Sequence, residues 1–189
     1  MRRALAAAVV VLAALAPACR SRGALKPECS RPGGQIFVLA AQSVPTATLL
    51  PCVRELPAGW GYGGFSFQSG RSRFWLNNDR AGMHAVEVDL TPSCVVSGAA
   101  EVTPAADEAG TARFEKPISL KPGYVADRFY VFPGGCVTYR FRFEPGASST
   151  LALEAEEALS FSSRAVIVRR VEDDLGLSLC GAGAPPCAG

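Results

Sequence analysis

One histidine, His84, stands in 189 residues. It is the only side chain that titrates near neutrality unperturbed, so any acid–base enzyme built on this chain leans on it. No GxSxG, SxxK, HExxH or Walker sequence occurs, which leaves that histidine without a recognisable nucleophile or phosphate-binding companion. No CxxC occurs either, and one histidine cannot complete the usual ligand spacing of a zinc site. No metal or other cofactor is implied. The longest apolar run, Ala4 to Leu15, falls short of the roughly 20 residues that a membrane-spanning helix needs.

That run lies behind Arg2 and Arg3, and the three together read as an export leader over residues 1–18. Ala16-Pro17-Ala18 suits an ordinary signal peptidase. Leu15, followed by small residues and then Cys19, resembles a bacterial lipoprotein leader, with Leu15 four residues before the cysteine where that family prefers three. The resemblance covers the first 19 residues only. It implies that Cys19 becomes the lipidated first residue of the mature chain, held at the membrane by more than one acyl chain.

Removing the leader also removes charge. The 19 basic residues become 17 without Arg2 and Arg3, against 17 acidic ones, for a mature net charge of zero. A nucleic-acid binder carries a basic excess, so that class is excluded. Seven cysteines less Cys19 leave an even set: Cys29, Cys52, Cys94, Cys136, Cys180 and Cys187. In an oxidising compartment these read as disulfide partners. Adjacency to patterned segments favours Cys94 with Cys136 and Cys52 with Cys180, leaving Cys29 and Cys187 to pair or vary.

About 170 mature residues suffice for one domain. Residues 19–34 read as a tether, 35–180 as the domain and 181–189 as a Gly/Ala/Pro tail. Gln35 to Ala41 is a continuous apolar run, consistent with a strand buried on both faces or a short helix. Val44 to Cys52, broken by Pro45 and Pro51, reads as irregular. Strands are expected at Trp60–Phe67, Arg73–Leu76, His84–Leu90, Cys94–Ser97, Thr111–Glu115, Asp127–Phe132 and Val137–Phe143. The last is the clearest: Val137, Tyr139, Phe141 and Phe143 alternate with Thr138, Arg140 and Arg142. Helical period then appears after Ser148-Ser149 through Phe161. It appears again from Ser162 or Ser163, with Ile167, Val168, Val171 and Leu175 on one side and Gly176 as the stop. The fold class is α+β, a largely antiparallel sheet of about six to eight strands with one or two C-terminal helices, stapled by disulfides.

Each candidate site has a plain counterpart. His84, in phase with Val86, Val88 and Leu90, reads as a strand-end histidine. Glu87 and Asp89 share a strand face as a glycosidase pair would, but a solvated acidic face is commoner. Asn77-Asn78-Asp79 with Gly82 offers calcium-friendly oxygens in what reads as an ordinary turn. Trp60 and Tyr62 fit a stacking surface or a core, Trp75 reads as core, and Arg71 and Arg73 could meet an anionic group. Arg140 and Arg142, with Arg128, form a candidate basic stripe on the outer sheet face. The function expected is a lipid-anchored, non-enzymatic binding or accessory module on the outer side of the bacterial cytoplasmic membrane, or secreted. It would partner an envelope protein or cell-wall polymer. The alternative is a secreted hydrolase using His84 and a carboxylate.

Overall fold

The structure, a computed structural model, describes residues 26–182. The leader, Cys19 and Cys187 lie outside the described residues. In chain order the elements are α1 (Gln35–Ser43), β1 (Leu49–Val53), β2 (Trp60–Gln68), β3 (Arg71–Asn78), β4 (Gly82–Thr91), β5 (Ala100–Val102), β6 (Ala112–Ser119), β7 (Val125–Phe132), β8 (Gly135–Arg142), α2 (Leu151–Ala158), β9 (Leu159–Ser163) and α3 (Arg164–Leu175). A single 3-10 turn, Ala106–Glu108, joins β5 to β6.

The two alternating segments meet at the centre of the sheet. Leu90 stands opposite Val137, Val88 opposite Tyr139 and Val86 opposite Phe141, so their apolar faces become one surface. All six residues are buried. The pattern extends to β3, where Phe74 and Leu76 oppose Val88 and Val86, and to β7, where Ala126 and Tyr130 oppose Phe141 and Val137. The result is a seven-stranded sheet in the order β2-β3-β4-β8-β7-β6-β5, with every pair antiparallel. Its apolar face is covered by the antiparallel β1–β9 pair and the helices, whose Phe37, Leu50, Leu151, Leu159 and Ile167 join the same core.

The Gln35–Ala41 run is helical. Its buried residues are Ile36, Phe37, Ala40 and Ala41, the spacing of one helix face, while Leu39 is exposed. Two alanines and two glutamines in α1 favour helix where a β-branched run would not. The neighbouring irregular stretch contains β1, whose five residues pair with β9 despite Pro51. Phe161, expected in a helix, therefore lies in β9. No strand forms over Cys94 to Ser97. The last helix keeps both its signals: Ser163 Oγ accepts from the Val166 N–H, and Gly176 caps the end at φ 62°.

Residues 26–34 are part of the body, since the Val53 N–H donates to the Pro27 carbonyl at 2.7 Å and the Cys29 N–H to the Val53 carbonyl at 2.9 Å. These bonds bring Cys29 beside Cys52, with their Cα atoms 5.1 Å apart and their sulfurs joined. Cys52 is thereby taken, which corrects the expected Cys52–Cys180 pair. Cys180 is disulfide-bonded as well. Cys94–Cys136 forms as expected and ties the segment after β4 to the start of β8.

Candidate functional site

The outer face of the sheet collects the arginines singled out in the sequence. Register sets Arg73 opposite Asp89, Glu87 opposite Arg140, and Arg140 opposite Asp127. The Asp89 carboxylate accepts from Arg71 Nε at 2.7 Å, Arg71 Nη2 at 2.8 Å and Arg73 Nε at 2.9 Å, and also pairs with Arg140. Glu87 joins Arg73 to Arg140 at 3.0 and 2.9 Å. Asp89 is only 1% exposed. The acidic face is therefore no solvated surface but the inner layer of an arginine lattice. The basic stripe is corrected too: Arg140 is neutralised by Glu87 and Asp89, Arg142 pairs with Asp127 at 2.8 Å, and Arg128 is not on this face. Arg128 stands opposite Tyr139, so it points to the covered side.

The aromatic set divides between the two faces. Trp60 is buried, donates from Nε1 to Glu154 Oε2 at 3.0 Å, and lies 6.4 Å from Phe143. Tyr62 stacks on Phe74 at 5.7 Å, and burial pushes its phenol far above the usual range. Trp75 sits instead on the outer face, half-buried, with its indole against Gly63 and Gly64, where a Cβ would collide with the ring. Against Trp75 lies His84, with centroids 4.8 Å apart. The β3–β4 register slips between Leu76 and Asn78, and His84 takes φ 53°, which breaks the alternation and removes it from the Val86 side. His84 is exposed.

On the covered side a cavity of about 230 Å³ opens between α2, β9, the 3-10 turn and the sheet. Arg54 follows β1, Asp107 and Glu108 belong to the turn, Arg113 comes from β6, Tyr139 from β8, Glu156 from α2 and Phe161 from β9. Arg113 donates to Glu108 at 3.2 Å and Glu156 at 3.0 Å, and pairs with Glu115. Arg128 holds Glu115 at 3.4 Å and also Glu156, its guanidinium 4.8 Å above the Phe141 ring. Arg54 joins Asp107 and, at 3.0 Å, Ser160. Phe161 stacks over Tyr139, their planes 12° apart. Complete burial raises the Tyr139 phenol well above its ordinary value.

Arg54, Asp107, Glu108, Arg113, Glu115 and Glu156 were missed in the sequence, whereas Arg128 was singled out but assigned to the outer face. Arg54, Asp107 and Glu108 fall outside every patterned strand, so only the tertiary fold assembles them. Arg128 did carry a signal, since it shares its phase with Ala126, Tyr130 and Phe132.

The hydrogen bond from Arg54, ahead of burial opposing it, holds the Asp107 carboxyl below the usual carboxylate range. Replacing Arg54 with alanine is expected to move the Asp107 titration upward, toward an ordinary aspartate. Carbon-detected NMR of the side-chain carboxyl reads this directly, and an unmoved midpoint would contradict the assigned cause.

Among the described residues no helix is long and apolar enough to cross a membrane. The disulfides are consistent with an extracytoplasmic domain. No protein-family model, no curated protein and no solved structure matches the chain.

Proposed function

We propose that this chain is an extracytoplasmic lipoprotein, anchored through Cys19 to the outer face of the bacterial cytoplasmic membrane, which serves the cell envelope as a non-enzymatic binding or accessory module. The observation that carries it is the disulfide framework. Cys29–Cys52 and Cys94–Cys136 hold strand ends and loops together in a form that a reducing compartment would not maintain, which supports export. Counting Cys19 as lipidated leaves the remaining six cysteines an even set.

The binding role, rather than hydrolysis, is supported by the engagement of the carboxylates that a hydrolase would use: Glu87 and Asp89, on the same outer face as His84, are held by Arg71, Arg73 and Arg140. His84 stacks on Trp75 on the outer face, while the cavity carboxylates lie on the covered face in the grip of Arg54, Arg113 and Arg128. An envelope protein or a cell-wall polymer is the partner class that the address offers.

Replacing Cys19 with alanine tests the anchor. Wild-type protein is expected in the membrane fraction with incorporated radiolabelled palmitate, and the variant in the soluble extract without label. Membrane association unchanged by the substitution would overturn the anchor.

A further inference from the structure

We propose that β2 is an interface strand on which a second copy of this chain pairs antiparallel about Ser66, joining two seven-stranded sheets into one. The inference goes beyond the binding-module reading and does not depend on the anchor. β2 stands at one edge of the sheet and pairs with β3 alone. The Asp79 N–H donates to the Gly59 carbonyl at 3.0 Å, which sets the phase of that ladder. Every second residue of β3 back from Asp79 then bonds across to β2, at Gly61, Gly64, Ser66 and Gln68. The main-chain groups of Phe65 and Phe67 therefore point the other way, to the open edge. Among the described residues, no hydrogen bond reaches those groups from outside the ladder.

The two edges of the sheet are built differently. At the far edge β5 is only Ala100–Val102 and carries Glu101, and the part of β6 that it leaves uncovered holds Lys116 and Pro117. Short strands, charges and proline are the ordinary means of keeping a foreign strand off a sheet. β2 has none of them, since from Trp60 to Gln68 there is no charged residue and no proline. Instead Phe65, 37% exposed, and Phe67 lie side by side at the rim with ring centroids 5.3 Å apart.

The occupant is a second copy because the strand complements itself. About a two-fold axis at Ser66, Phe65 meets the partner's Phe67 and Phe67 meets the partner's Phe65, and each such pair exchanges both of its N–H···O bonds. The two side chains share a face, so aromatic pairs close across the axis where solvent now reaches Phe65. An uncharged strand meets itself without repulsion, and the mature chain has no net charge to hold two copies apart. The pairing is bounded as well. The β2–β3 register slips between Tyr62 and Gly64, so the regular edge runs only from Gly64 to Gln68, and the guarded far edge does not continue it. A closed two-fold dimer follows, not a fibre. So short a strand pair falls below the roughly 1,200 Å² of a stable complex, which makes the dimer reversible.

Sedimentation equilibrium of the unlipidated mature chain tests this. The expected result is a reversible monomer–dimer equilibrium at submillimolar concentration, with nothing larger. Ser66→Glu should weaken it by at least about tenfold, because like charges then meet at the axis. The monomer keeps its melting temperature, since position 66 stands opposite Arg73 in β3 and a glutamate there has a cation beside it. Ser66→Lys should weaken the dimer in the same way, and mixing the two variants should restore it, which a merely structural effect of either substitution would not do. Amide exchange gives a second reading: the Phe65 and Phe67 amides should slow as concentration rises, while that of Ser66, already bonded to β3, should not. Monomer alone at millimolar concentration, undiminished association of Ser66→Glu, no rescue in the mixture, or species larger than a dimer in each case overturns the assignment. Phe65 and Phe67 amides that slow only with an added extended peptide would give the edge to a foreign strand and overturn self-pairing as well.

Discussion

Replacing Asp89 with alanine is expected to destabilise the fold by about 3–5 kcal/mol, the cost of removing one partner from a buried ion cluster. For a chain of this size that lowers the melting temperature on the order of 10 °C. Asp89 is 1% exposed and is met by Arg71, Arg73 and Arg140 from the strands on either side. Without it, three guanidiniums face one another across β4 with Glu87 alone to offset them. The arginines are only partly exposed, with side-chain values of 37%, 28% and 33%, so water relieves part of the repulsion and the loss stays within that range. Arg71→Ala should cost far less, about 1 kcal/mol or below, since Asp89 keeps two partners and Arg71 is the most exposed of the three. Urea unfolding of both variants decides it: a lower midpoint at constant slope reports stability alone. Equal losses for the two would mean that the lattice is not centred on Asp89.

The lattice was half legible. Alternation in Val86–Leu90 and Val137–Phe143 already sets Glu87, Asp89, Arg140 and Arg142 on faces opposite the apolar residues. What alternation cannot give is register, and register decides whether Asp89 lies beside an arginine or beside water. It also cannot give strand order: β4 pairs with β8 across four intervening elements, which no local pattern announces. The central sheet and the boundaries of α3 were readable because period, the Ser163 cap and the Gly176 stop agree. α1 was ambiguous because an unbroken apolar run has no period to read. His84 was misplaced because one residue at positive φ inverts the faces beyond it, and nothing in Gly82-Met83-His84 fixes where the slip falls. The cavity was the least visible feature. Its walls come from the end of β1, a turn, β6, β8, α2 and β9, and their charges make sense only once they neutralise one another.

Converting Cys94 and Cys136 together to serine is expected to lower stability by about 4 kcal/mol, and the Cys29/Cys52 pair by about 3 kcal/mol, on the loop-closure model. The order follows from separations of 42 and 23 residues, because the longer loop gains more freedom in the unfolded chain when its tie is cut. The first bridge has a structural task as well. Cys136 is fully buried beside Thr91 at the β4–β8 junction, and Cys94 belongs to a stretch without regular backbone pairing. Cutting it leaves residues 92–99 held by the side-chain hydrogen bonds of Thr91 to the Ser93 carbonyl and Lys116 to the Ser97 carbonyl. The segment around Cys29, by contrast, keeps two backbone hydrogen bonds to Val53, from the Cys29 N–H and to the Pro27 carbonyl, when its bridge is lost. Denaturant titrations of the two double variants give the order, and a larger loss for the 23-residue bridge would show that native contacts, not chain freedom, set the effect. Non-reducing peptide mapping of the native protein checks the pairing beneath the prediction: Cys94 should be recovered with Cys136 and Cys29 with Cys52, and a Cys52–Cys180 peptide would refute it.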